Sequence, residues 1–123
     1  MYTVDTNILI YHANGDKEVI EFLEEQVKRD AFLFLPAIVV VEFFSFPALT
    51  PEAEHAFASL LNYFSIISLD YPLAREAASL RREFQLKLGD AIIAACAMSK
   101  KAPLVTRNVR DFRKVRGLEV VAI

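Results

Sequence analysis

The sequence of 123 residues has a single cysteine, no repeat or low-complexity segment, and no charged region followed by an apolar one at its start. One cysteine excludes an internal disulfide framework and fits a reducing compartment. Cys96 lies among alanines in residues 94–97, which predicts a small buried thiol rather than a nucleophile. Because no secretion signal is visible either, we expect a cytoplasmic protein.

A membrane span is also missing, although residues 31–49 resemble one in carrying a single charge. Pro36 and Pro47 break this run, and Glu42 lies near its middle. A lone carboxylate in lipid costs several kilocalories per mole, whereas a break at Pro36 divides the run into a strand and a second short element. We therefore expect no contact with a membrane.

The apolar content predicts a folded protein with one core. Hydrophobic residues make up 54% of the chain and ten residues are Phe, which favours a globular fold over disorder. A chain of this length forms one domain and buries a core without disulfides or structural metals. The predicted domain therefore covers residues 1–123.

Charge is divided unevenly along the chain. Residues 1–74 contain three Lys or Arg against eleven Asp or Glu, a net charge of −8, whereas residues 75–123 contain eleven against five, a net charge of +6. The acidic part would suit cations and the basic part a polyanion. Ordinary charge scatter over a solvated surface remains an equally good interpretation.

Strands and helices alternate along the sequence. The apolar start that ends at Asp5 predicts a strand leading directly into a helix. Further strands are predicted at residues 32–35, 65–69, 104–106 and 118–123, and helices at residues 17–29, 51–63, 72–85 and 88–99. This alternation predicts an α/β fold, a three-layer α/β/α sandwich with a mainly parallel central sheet of about five strands.

Residues 38–44 are the ambiguous segment. Their β-branched side chains favour a strand, but Pro36 is a suitable helix start. A second strand directly after residues 32–35 would leave no room for the crossover that parallel strands require. We therefore predict a helix.

Four carboxylates lie in apolar or strand-end positions instead of on polar helix faces: Asp5, Glu42, Asp90 and Asp111. Asp5 is also a good helix cap, and its immediate neighbours favour that simpler interpretation. Buried carboxylates need partners, and four of them at one end of a sheet would repel one another unless divalent cations were present. The pattern therefore predicts a metal site.

Oxygen ligands of this kind suit Mg²⁺ or Mn²⁺, which bind through a few carboxylates and keep several waters. Thr6, Asn7, Thr106 and Asn108 accompany the acids and are candidates to orient metal-bound water or to contact phosphate. Each of them is equally suited to capping a helix or a turn.

Four motifs together resemble the PIN domain, in particular the VapC-like toxins of prokaryotic toxin–antitoxin pairs. They occur in the right order over essentially the whole chain: Asp5-Thr6-Asn7, Glu42 after an apolar run, Asp90-Ala91-Ile92-Ile93-Ala94-Ala95, and Thr106-Arg107-Asn108-Val109-Arg110-Asp111-Phe112. The resemblance implies a Mg²⁺- or Mn²⁺-dependent endoribonuclease whose acidic cluster is Asp5, Glu42, Asp90 and Asp111. It also implies that Thr106, and in second place Asn108, support that cluster, and that residues 38–46 are helical.

RNA needs cations near such an acidic site. Arginines and lysines follow the last acidic motif and precede Asp90, where they would form a phosphate track. Single-stranded or loop RNA is the expected substrate, because unstacked nucleotides reach a recessed metal. The candidates are Arg81, Arg82, Lys87, Arg107, Arg110 and Arg113, with Lys114 and Arg116 in the same stretch. Arg81 and Arg82 would equally well form surface ion pairs.

A short helix cannot readily bury three large aromatic side chains, and the segment contains Phe43, Phe44 and Phe46. They belong either to the core or to an apolar groove or dimer face. The resemblance supports the groove, since toxins of this family commonly form homodimers and are held inactive by an antitoxin that lies across it.

Three alternatives compete with a toxin ribonuclease. The first is a PIN nuclease of RNA processing, and the second is a PIN-like module that binds RNA or protein without cleaving. The third is a phosphoacceptor receiver domain, which needs an Asp at the end of a middle strand. The strands that end near residues 35 and 67 lack one, although Asp70 is close.

Overall fold

The first strand lies at the centre of a five-stranded sheet in the computed structural model, which describes residues 1–123. The strands are β1 (Tyr2–Val4), β2 (Leu33–Pro36), β3 (Ser65–Ile67), β4 (Leu104–Val105) and β5 (Val120–Val121). Their order is β3-β2-β1-β4-β5, and every neighbouring pair is parallel. The predicted α/β class is confirmed, and the sheet is wholly rather than mainly parallel.

Seven helices connect the strands: α1 (Thr6–Ala13), α2 (Lys17–Lys28), α3 (Ala37–Phe44), α4 (Pro51–Leu60), α5 (Tyr71–Phe84), α6 (Leu88–Lys100) and α7 (Val109–Arg113). A short 3₁₀ turn, Leu61–Tyr63, extends α4 to the predicted end of that helix. None of these helices combines the length and apolar character needed to span a bilayer.

Side-chain caps explain where three of the helices begin. Asp16, Thr50 and Asp70 adopt extended backbone conformations, and each side chain accepts a hydrogen bond from a backbone N–H three residues later. Such a bond satisfies one of the donors left free at a helix start. The predicted cap at Thr50, with Pro51 in the first helical position, is confirmed.

The ambiguous segment is the helix α3, as predicted. Pro36 is both the last residue of β2 and the residue before the helix, so no second strand follows directly. The helix ends at Phe44, earlier than the implied limit at residue 46. Pro47 disfavours a helical conformation at the residue before it, which accounts for a helix end in this segment. The β-branched residues of α3 are helical because the parallel topology requires a crossover there.

Strand lengths and one helix differ from the prediction. β3 and β5 are shorter than expected, covering Ser65–Ile67 and Val120–Val121. The helix α7 was not predicted, because its five residues are too few to display a helical period.

The order of the strands creates a crevice between β1 and β4. The chain moves outward from β1 through β2 to β3 and then crosses back to place β4 on the other side of β1. In parallel α/β sheets, this reversal leaves a crevice at the carboxyl ends of the two strands, and ligands bind there. Asp5 directly follows β1 and Thr106 directly follows β4, so both lie at this crevice.

Candidate active site

Each of the four acids is carried by a different element. Asp5 follows β1, Glu42 lies in α3, Asp90 lies in the first turn of α6, and Asp111 lies in α7. They are close enough to influence one another's ionisation: Asp90 and Glu42 act on Asp5, and Asp111 and Glu42 act on Asp90. Each of the four predicted acids is thus within electrostatic reach of at least one other, although they are up to 106 positions apart in the sequence.

Asp5 is the most buried of the four, with only 5% of its surface exposed. Burial raises its pKa to about 6; the hydrogen bonds from Thr106 and Thr6 oppose this shift, and the charges on Asp90 and Glu42 add to it. Oδ1 accepts from the Thr6 backbone N–H at 2.7 Å, and Oδ2 accepts from the Thr106 hydroxyl at 2.7 Å. Asp5 therefore caps α1 and belongs to the acidic cluster at once, which unites the two interpretations of the sequence.

The Thr106 hydroxyl connects Asp5 to its surroundings. Thr106 is fully buried, and its oxygen accepts from the Asn108 backbone N–H at 2.9 Å and from the Asn7 amide nitrogen at 3.3 Å. Two donors to this oxygen leave its own proton directed at Asp5. The hydroxyl thus holds the carboxylate, and the two asparagines hold the hydroxyl.

Glu42 is held by the neighbouring hydroxyl of Thr6, which donates to Oε1 at 2.8 Å. Its other oxygen lies against Gly89, where an added Cβ would stand 3.2 Å from Oε2. This glycine is costly inside a helix but permits the close approach of α6 to the carboxylate. The sequence analysis missed Gly89. The available signal was a glycine inside a predicted helix, directly before the motif acid Asp90.

Asp90 is half-buried and lies between charges of both signs. Its pKa is raised by burial first and then by Asp111 and Glu42, while Lys87 and Lys114 lower it. The two lysines thus lie within electrostatic reach of the acids.

The donors of this cluster fit a hydrated divalent cation. The side-chain ligand atoms are all oxygens. Neighbouring acids contribute to the raised pKa values of Asp5 and Asp90, and a bound divalent charge would act in the opposite direction. No group of three or more His, Cys, Asp or Glu side chains is placed so that it could hold a metal ion. Mg²⁺ commonly binds through one or two carboxylates and keeps several waters.

The predicted RNA-binding cations fall into two groups. Arg107 is bound within the chain, by Asp16 at 2.7 and 3.0 Å and by the Ile123 carbonyl at 2.9 Å. This geometry favours a structural role for Arg107, and its predicted contact with RNA is untested. Five of the other predicted cations are exposed and form no ion pair: Arg81, Arg82, Lys87, Arg110 and Arg113. Arg116, from the same stretch, pairs with Glu83 at 3.1 Å.

The three phenylalanines of the apolar run divide between core and surface. Phe43 is buried and stacks on Phe57 at a centroid distance of 3.9 Å, whereas Phe46 is 49% exposed. Phe44 is partly buried and meets Phe57 edge-on at 4.9 Å. Phe43 and Phe46 line one cavity of about 220 Å³ with Ile10 and Leu49. The core interpretation is confirmed for Phe43, and a groove or dimer face at Phe46 stays a prediction.

A parallel α/β sheet with acids gathered at its switch point defines the class of protein. The family model of the PIN domain matches residues 2–118, and the chain therefore belongs to the PIN domain family. The family and the fold expected from the four motifs are confirmed.

Three proteins of known name or structure are similar to this chain. The ribonuclease VapC2 of Methanocaldococcus jannaschii is 24% identical over an alignment of 136 positions, which covers 97% of this chain and 91% of the relative. A toxin–antitoxin complex from Klebsiella pneumoniae contains a chain that is 31% identical, with all of both chains covered and a TM-score of 0.81. VapBC2 from Rickettsia felis, solved with a fragment of its promoter DNA, is 23% identical and shares the fold, with a TM-score of 0.85 over 99% of this chain and 98% of that one.

Proposed function

We propose that this chain is a metal-dependent endoribonuclease that hydrolyses RNA phosphodiester bonds and is the toxin of a VapBC-type toxin–antitoxin pair. Membership of the PIN domain family supports the nuclease, and the relative named as a ribonuclease supports RNA as the substrate. The similar chain in a toxin–antitoxin complex supports the toxin. We also propose that residues 1–123 form a single nuclease domain.

The observation that carries the proposal is the unbalanced negative charge around Asp5. Its carboxyl is buried, lies near two further acids and has a pKa raised to about 6. A fold gains nothing in stability from such a cluster, because each charge makes the others more costly. A function that needs a divalent cation accounts for it, since perturbed carboxyl groups in a crevice are typical of active sites.

In this proposal, Asp5, Asp90 and Asp111 hold Mg²⁺ or Mn²⁺, with Glu42 nearby. When bound, the cation supplies a water of lowered pKa and neutralises charge on the phosphate oxygens. Asp5 must be ionised to bind it, so activity rises as the pH passes the pKa of that carboxyl. The hydroxyls of Thr6 and Thr106 keep two of the carboxylates in fixed orientations.

In this proposal, RNA is drawn to the site by exposed cations on α5, before α6 and on α7. Lys87 directly precedes α6, and Arg81 and Arg82 lie in the last turn of α5. Arg110 and Arg113 lie on α7, beside Asp111. These side chains would bind phosphates on both sides of the scissile bond, and single-stranded RNA would reach the recessed acids most readily.

We further propose an antitoxin partner, a homodimer and a cytoplasmic location. The partly exposed phenylalanines and the cavity beside Phe46 are the surface offered to protein partners. The cytoplasmic location rests on the single free cysteine.

Cleavage of a fluorescent RNA panel by purified, partner-free protein tests the proposal. We expect cleavage with Mg²⁺ or Mn²⁺, none with EDTA, and none in Asp5→Asn or Asp90→Asn. Asp30→Asn is the matched control, since it makes the same chemical change at an exposed turn. If folded protein cut nothing with either metal, a non-catalytic binding module would replace the enzyme. A gene neighbourhood without an antitoxin would favour an RNA-processing nuclease.

A further inference from the structure

The Arg107 guanidinium joins two parts of the chain that are distant in sequence. Its two terminal nitrogens bind both oxygens of Asp16 at 2.7 and 3.0 Å, and Nε donates to the Ile123 carbonyl at 2.9 Å. The guanidinium also lies over the Tyr11 ring, with its central carbon 4.3 Å from the ring centroid. A bidentate, stacked arginine has a fixed position that a lysine cannot reproduce.

Asp16, the partner of Arg107 in this ion pair, is itself held by the start of α2. It caps α2, where Oδ1 also accepts from the Val19 backbone N–H at 3.2 Å. The ion pair thus ties the turn between α1 and α2 to the segment that follows β4. Only 24% of the Arg107 side chain and 25% of the Asp16 side chain are exposed, so water weakens this pair less than a fully exposed one.

A short chain of hydrogen bonds leads from Arg107 to the acidic cluster. Its backbone N–H donates to the Asn7 side-chain oxygen at 3.4 Å, and the Asn7 amide nitrogen donates to the Thr106 hydroxyl at 3.3 Å. That hydroxyl donates to Asp5 at 2.7 Å. The first two bonds are long and therefore weak. The β1–β4 pairing holds the strands in register, and the Arg107–Asp16 ion pair adds a second contact just beyond the strand ends.

We propose that the Arg107–Asp16 ion pair is a positioning device that fixes the segment after β4 against α1, and thereby holds Asn7 against Thr106 and the Thr106 hydroxyl on the Asp5 carboxylate. This inference rests on the proposed function for its catalytic consequence. Arg107 is accordingly a positioning residue that acts through Thr106 and does not contact RNA, in contrast to the expectation from the sequence.

Two variants test the device, with a third as the matched control. Arg107→Lys keeps the charge but loses the two-pronged pair and the bond to Ile123. Asp16→Asn removes the charge, while asparagine caps a helix about as well as aspartate. Arg29→Lys is the control, because Arg29 pairs with Glu25 at the same distance of 2.7 Å on an exposed helix face.

Three measurements distinguish a positioning role from an RNA contact and from a purely structural ion pair. They are Mn²⁺ affinity by titration calorimetry, kcat and KM for a short RNA, and thermal unfolding. Groups that orient metal ligands typically change metal affinity by about 10- to 100-fold when altered. We expect Arg107→Lys to weaken Mn²⁺ binding and to lower kcat by about tenfold each, with KM unchanged. Asp16→Asn should act in the same direction, and Arg29→Lys should change neither value.

Two results would overturn the proposal. If KM rose in Arg107→Lys and fell in Asp16→Asn, with Mn²⁺ affinity unchanged, Arg107 would be an RNA contact that Asp16 restrains. If both variants only melted at lower temperature, with Mn²⁺ affinity and kcat intact below melting, the ion pair would be structural alone.

Failure of the proposed function would look different from either result. In that case the unaltered protein would cut no RNA. Amide hydrogen exchange at Asn108 in metal-free protein would still report the device, because that N–H donates to the Thr106 hydroxyl. If the Asn108 amide exchanged faster in Arg107→Lys than in the unaltered protein, and at an unchanged rate in Arg29→Lys, the positioning role would be supported. If Arg107→Lys and the unaltered protein exchanged at the same rate, that role would be refuted.

Discussion

Replacing Asp5 by asparagine is expected to stabilise the metal-free protein at neutral pH. The carboxyl is 5% exposed and near two other acids, so its charged form is costly in the folded state. Asparagine has the same shape, keeps an oxygen for the Thr6 N–H, and carries no charge. The substitution therefore removes the cost of a buried charge without opening a cavity.

The magnitude follows from the pKa of Asp5, which folding raises from 3.8 to about 6. The folded state binds this proton more tightly than the unfolded chain, so the free energy of unfolding falls as the pH rises from about 4 to about 6. Complete ionisation costs about 3 kcal/mol, since one pKa unit is worth about 1.4 kcal/mol. The asparagine nitrogen cannot accept from Thr106, which costs about 1 kcal/mol and leaves a net gain of about 2 kcal/mol.

Urea unfolding in EDTA, at about pH 7.5 and at about pH 4, measures this difference directly. We expect Asp5→Asn to be more stable than the unaltered protein at the higher pH and slightly less stable at the lower one, where Asp5 is protonated and the lost Thr106 bond remains. The Asp16 carboxyl, whose pKa is lowered by Arg107, contributes equally to both proteins and cancels. Asp30→Asn controls for the general loss of one negative charge.

A stability difference that stayed constant between the two pH values would refute the reasoning, because the argument depends on ionisation of Asp5. Adding Mn²⁺ should reverse the order at about pH 7.5. A ligand at 100 times its Kd stabilises the protein it binds by about 2.7 kcal/mol, and the variant lacks the ligating charge.

Three further predictions concern other parts of the chain. Thr106→Val removes the hydroxyl that holds Asp5, so Mn²⁺ affinity should fall by about tenfold in calorimetry. Phe57→Ala empties the space beside Phe43 and should lower the free energy of unfolding by about 3 to 5 kcal/mol in urea, with the midpoint reduced and the slope unchanged. Burial raises the pKa of the Cys96 thiol to about 11, so alkylation at about pH 8 should be slow in the folded protein and fast in urea.

Much of the fold and the acidic cluster was predictable because local signals and topology agreed. The helix α3 was assigned against the β propensity of its residues, since parallel strands left no alternative. Asp5 was recognisable as unusual because an apolar strand ended on a carboxylate. The sequence could not show that Asp5 is both a helix cap and a member of the acidic cluster. Each role predicts an aspartate at the end of β1, so the pattern is the same for one role or for both.

The contacts that depend on tertiary structure were out of reach. Arg107 and Asp16 are 91 positions apart, and nothing in either neighbourhood favours that pair over many others. Arg107 was accordingly assigned to RNA with the other cations of its segment. The closeness of Gly89 to Glu42 likewise depends on how α6 packs against α3, which the sequence pattern does not specify.

Asp5 caps α1 and is also the most buried of the four acids. A single substitution at this residue can therefore remove the proposed activity without preventing folding. Exchange of one carboxylate oxygen for an amide nitrogen would end the proposed catalysis and leave the helix start intact. If the chain is the toxin proposed above, such a variant would be a folded protein that cleaves no RNA. It would still bind the proposed antitoxin and would compete with active copies for it.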